Sequence, residues 1–140
     1  MPQTMATEIQ KQCETIEECY EFTLSFAARG LASDEGSELR EQLTRAVKAM
    51  RGLERSCAEA IGEEQLASAE ECEAFFAVVQ RDADGALAAM ELVLAQPTIG
   101  SQLIDNLNAS IHLRALLADL FLVTEILDGR QKTAAQRNAS

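Results

Sequence analysis

Four cysteines are the residues of this chain best suited to chemistry. Cys13, Cys57 and Cys72 fall on apolar stripes with helical spacing. Cys19 lies six residues beyond Cys13, about 240° around a helix, and so faces elsewhere. The turns between the expected helices centre near residues 33 and 65. Cys57 and Cys72 then stand equally far from the second turn, and Cys13 within about one helical turn, ~6 Å, of the height of Cys57. Three thiols in one layer could hold zinc or copper(I) as thiolates, or act as a redox pair. Residues around Leu120 to Thr124 would face that layer, with Asp119 and Glu125 at its edges. The competing reading is that the cysteines are small buried hydrophobes, and no C-x-x-C spacing argues for the metal.

A second candidate is acidic. In "QRDADGALAAME", with Gln80 as position 1, Asp82, Asp84, Gly85, Leu87 and Glu91 fill positions 3, 5, 6, 8 and 12. The segment resembles an EF-hand loop, and the preceding "FFAVV" is similar to that family's entering helix. The resemblance implies calcium held by Asp82, Asp84 and Glu91. Three features oppose it. Position 1 is a neutral amide, no second loop is found, and the stripe Phe76, Val79, Ala83, Leu87, Met90, Leu94 passes through without a break in phase. A calcium loop would interrupt that period. The segment therefore reads as the middle of a helix, with Asp82 and Asp84 in solvent.

His112 is the single histidine, and Ala109 stands three residues before it. That removes the Glu-x-x-His pairs that a di-iron bundle uses. The following "HLRAL" weakly resembles the "H-x-L-K-G" of histidine phosphotransfer domains, with Leu and Arg one place early and no Gly. Glu14, Glu17, Glu18 and Glu21 form a wide acidic surface of the solvated kind. No nucleophile with its base and no phosphate-binding loop is found, so a non-enzymatic role without a cofactor is expected.

The elements that must position these residues follow from composition. The chain has 140 residues, 47 % of them hydrophobic but only 4 % aromatic, and its prolines are Pro2 and Pro97. Abundant Ala, Leu, Glu, Gln and Arg favour helix. The expectation is an all-α, antiparallel up-down-up-down four-helix bundle in one domain, residues 1–129. Helices are expected over about 4–29, 37–61, 68–96 and 98–128, closed by Gly30, Gly62, Pro97 and Gly129. Ser68 and Glu71 have the spacing of a capping box. Residues 130–140 are expected to form a disordered polar tail.

A net charge of −11 disfavours nucleic acid. No apolar segment is long enough to span a bilayer, and no signal peptide is evident, so a cytoplasmic location is expected. Arg45, Lys48, Arg51 and Arg55 form a basic row expected to pair with acidic neighbouring helices. The last helix is apolar around most of its circumference: Leu113, Leu116, Leu117, Leu120, Phe121, Leu122, Val123, Ile126 and Leu127 exceed one stripe. The surplus points to a homodimer or a protein partner, with Phe22 and Phe26 widening the patch. A small acidic helical protein with such a surface has the profile of an adaptor or an export-type chaperone.

Overall fold

In the computed structural model, the backbone is described for residues 5–139 and the side chains for residues 8–129. Every regular element among them is helical: α1 (Met5–Ala28), α2 (Leu39–Met50), α3 (Leu53–Glu63), α4 (Ala69–Leu94), α5 (Ser101–Asn108) and α6 (Ile111–Ala139). They form one compact domain. The expected start of the first helix, Thr4, lies outside the described residues.

Six helices replace the expected four because two of the expected rods are broken. The second rod is interrupted at Arg51, which is extended, and at Gly52, whose φ of 73° places it in the left-handed region. Glycine adopts that conformation without a Cβ clash. The break is only two residues long, so the apolar stripe keeps its phase across it. Leu39, Leu43, Ala46, Met50, Leu53, Cys57 and Ile61 are all buried. The fourth rod is interrupted at Ala109 and Ser110, between α5 and α6. It also starts at Ser101 rather than near residue 98, because the chain after Pro97 is held extended by contacts described below.

Helix α4 starts as the sequence implies. Ser68 Oγ accepts from the Glu71 N–H, and the Glu71 carboxylate accepts from the Ser68 N–H, closing the capping box. The last helix departs from expectation at its other end. Gly129 does not stop it, and α6 remains helical to Ala139 in place of the expected disordered tail. An interior glycine costs a helix only about 1 kcal/mol, and the Arg, Gln, Lys and Ala that follow are strong helix formers.

Packing explains which faces are apolar. Helix α1 touches α2, α3, α5 and α6, and α4 touches the same four. Each therefore lies between the α2–α3 pair and the α5–α6 pair. Contact on two sides buries more than one stripe of α1. Cys19 and Phe26 join Ile9, Cys13, Ile16 and Thr23 in the core, while Phe22 packs at its edge. Phe26 is thus core rather than part of an external patch.

The end of the molecule where α1 and α4 finish is locked by polar contacts. Asp34 Oδ1 accepts from the Ile99 N–H, and Asp34 Oδ2 from Arg40 Nε. Arg40 also donates to the carbonyls of Leu94, Gln96 and Pro97, closing the end of α4. Buried Ser101 donates to the Phe26 carbonyl and accepts from the Leu31 N–H, at 2.7 and 2.8 Å. Gly100 lies so close to Leu31 and Ala32 that an added Cβ would stand 3.1 Å from both carbonyl oxygens.

Candidate functional site

The cysteines do not assemble as expected. Cys13, Cys19 and Cys57 are buried, and Cys72 is half-buried elsewhere, lining an apolar groove. Among the described residues no group of three or more His, Cys, Asp or Glu side chains is gathered as a metal site. The layer of Cys13, Cys57 and Cys72 inferred for zinc or copper is therefore not formed. Cys13 lies close enough to Cys57 to act on it, so the thiol that leaves the layer is Cys72, half-buried in the wall of the groove. Burial also pushes the Cys13 and Cys19 thiols up to about 12, with Glu17 and Glu14 adding to the effect at Cys13. Burial raises Cys57 as well, assisted by Cys13, Asp119 and Glu54. Thiols held protonated are poor nucleophiles and poor metal ligands.

No calcium loop interrupts α4. The segment Gln80–Glu91 is continuous helix, and Glu91 receives Arg51 Nη2 at 2.6 Å. Asp84 is exposed, as a helix middle implies. Asp82 is not: its side chain is only 15 % exposed. It meets Asp119 across the α4–α6 contact, where the two carboxyls share a hydrogen bond. Asp119 Oδ2 is buried with no partner. Desolvation first, then the hydrogen bond and charge of Asp82, raise Asp119 from 3.8 to about 7, while Arg81 opposes the shift. The pairing of Asp82 with Asp119 was not read from sequence, because each residue falls at the edge of its own apolar stripe. His112 is exposed and lies over Gly85, where a Cβ would come within 2.7 Å of its Nδ1. The missing side chain of Gly85 thus makes room for His112.

The apolar surface of α6 divides in two. Leu113, Leu116, Leu117, Leu120 and Val123 are buried within this chain, as is Leu127. These five of the eight expected interface residues are core, because α6 also packs against α1, α3 and α5. Phe121, Leu122 and Ile126 remain outside, at 54, 53 and 39 % exposure. Ile111, at 76 %, belongs with them and was missed because it opens the helix after the unforeseen break.

Leu122 and Ile126 form one wall of the groove. The α3–α4 region supplies the other: Ile61, Leu66, Ala67, Cys72 and Phe75, with Glu71 at the rim. The groove holds about 170 Å³. That is close to an apolar cavity of about 150 Å³ that admits benzene. The turn that carries Leu66 is set by Gln65, a non-glycine residue with φ of 56°. What the site offers is apolar contact, with one carboxylate beside it.

No helix among the described residues is long and apolar enough to cross a membrane. No family model, curated protein or solved structure matches the chain.

Proposed function

We propose that this chain is a non-enzymatic adaptor or chaperone-like protein that acts through protein contacts and self-associates as a homodimer. In this reading the six helices amount to an antiparallel up-down-up-down four-helix bundle whose second and fourth rods are each broken once. The observation that carries it is the groove between Leu66 and Phe75 on one side and Leu122 and Ile126 on the other. A groove lined by aliphatic and aromatic side chains, with Leu122 and Ile126 exposed at its wall, is suited to receiving apolar side chains of another protein surface. The absence of convergent polar groups at its walls supports binding rather than chemistry.

The competing function, thiol-based metal or redox sensing, gains nothing from Cys13 and Cys57, which are buried and protonated. Native mass spectrometry of protein purified under reducing conditions without chelator separates the two. A two-chain mass without metal supports association through the α6 side. A single-chain mass carrying a stoichiometric metal that is lost in Cys57→Ser would overturn it in favour of the thiols.

A further inference from the structure

The groove beside Phe75 is apolar inside and acidic at its mouth. Its walls come from two stretches of chain, residues 56–80 and 115–129, and neither contains a lysine or an arginine. The first carries six glutamates, and the second carries Asp119, Glu125 and Asp128. Inside, Ile61, Leu66, Phe75, Leu122 and Ile126 surround about 170 Å³. That is room for one phenyl-sized group, since a cavity of about 150 Å³ admits benzene.

Two of the carboxylates stand at the mouth, one on each wall. Glu71 lines the groove directly, one turn before Phe75 on the same row of α4. Glu125 follows Leu122 by three residues and so shares its side of α6. Both are exposed, and neither is in an ion pair among the described residues. The Ser68 N–H and hydroxyl hold the Glu71 carboxyl below the usual carboxylate range, so it stays ionised at neutral pH.

We propose that the groove receives one large apolar side chain from a basic segment of another protein, whose flanking lysines or arginines meet Glu71 and Glu125. This rests on the reading of the chain as one that acts through protein contacts, and it names the chemistry of the partner. Charge decides the occupant. A second copy carries the same net charge of −11, and an acidic segment would meet like charges at both walls. The seated side chain is the anchor, and the pairs at the mouth select the partner. One side chain and two exposed ion pairs make a weak, reversible complex.

The test is fluorescence anisotropy of a short labelled peptide, one phenylalanine between lysines, titrated with the full chain. Binding with a Kd of about 10–100 μM is expected, and a loss of about tenfold when alanine replaces the phenylalanine. Ala67→Phe, which fills the groove and leaves every charge in place, is expected to cost a similar factor. Glu71→Gln with Glu125→Gln keeps the capping acceptor and is expected to weaken binding about tenfold. It should also flatten the decline in affinity between about 50 and about 500 mM salt. Equal binding of the alanine peptide would reduce the attraction to charge alone, and equal binding of a glutamate-flanked peptide would reduce it to apolar contact. Either overturns the proposal. If no peptide binds while sedimentation shows a dimer, the basic partner is overturned and action through protein contacts stands. If Ala67→Phe also abolishes that dimer, the groove belongs to a second copy. If the chain neither dimerises nor binds peptide at about 100 μM, both readings fail.

Discussion

The two ends of α4 teach opposite lessons about what the sequence is selected to hold. At its C-terminal end, carbonyls, a guanidinium and a carboxylate are matched. Arg40 covers Leu94, Gln96 and Pro97, and Asp34 joins Arg40 to the Ile99 N–H. About 28 Å away, along the 19 residues from Leu94 back to Phe75, apolar groups line an open groove. Between them the carboxyls of Asp82 and Asp119 crowd together, and Asp119 Oδ2 is buried with no hydrogen-bond partner. The locked end fixes the helices relative to one another. The open side leaves surface unsatisfied within the chain, as expected of a region that another molecule covers.

Breaking the locked end should have the largest effect. Ser101→Ala removes two short hydrogen bonds, leaving the half-buried Leu31 N–H without its hydroxyl acceptor and the Phe26 carbonyl with only the Arg29 N–H. A loss of about 2–3 kcal/mol is expected by urea unfolding. A change below about 0.5 kcal/mol would show that the lock is decorative.

The carboxyl pair should respond in the opposite direction. Asp119 in the folded chain titrates near 7, above its ordinary 3.8. Between those values the folded chain keeps a proton that the unfolded chain has released, so stability falls as pH rises through the window. The charge that is disfavoured faces Asp82 and Arg81 of α4 and Cys57 of α3. Asp119→Asn removes the charge and can still donate to Asp82. It should stabilise the protein by about 1–2 kcal/mol at pH 8, and by almost nothing at pH 4. An equal gain at both pH values would rule out the shared proton.

The smallest effect sharpens the end of α6. Gly129 is exposed, and no neighbouring atom would meet a Cβ placed there. Gly129→Ala should therefore add about 0.5–1 kcal/mol with a rise in helical circular dichroism. A neutral or destabilising result would mean that the helix ends at the glycine after all.

What the sequence made legible was burial. The stripe from Leu39 to Ile61 is buried at every position, because a two-residue interruption at Arg51 and Gly52 leaves its period in phase. For the same reason the interruption itself was invisible. The lock was also hidden, since Arg40 reaches carbonyls 54 to 57 residues away and Ser101 reaches Phe26 across 75. No local pattern records such partners. The acidic loop "SDEG" and the extended "PTIG" were signals that the connections carry structure. On α6 the excess of apolar residues was legible, but its division was not. Leu120 looks equivalent to Leu122 in sequence, and only the packing of neighbouring helices sends one inward and leaves the other 53 % exposed.

The central claim is that the outward side of α6 joins this chain to another copy. Sedimentation equilibrium from about 1 to about 100 μM, for the unmodified chain and for Leu122→Asp, tests it most directly. The account predicts a mass rising from 15.2 kDa towards twice that value for the unmodified chain. Leu122→Asp should keep its helical signal and remain at 15.2 kDa throughout. A Leu122→Asp variant that associates as readily as the parent would contradict it.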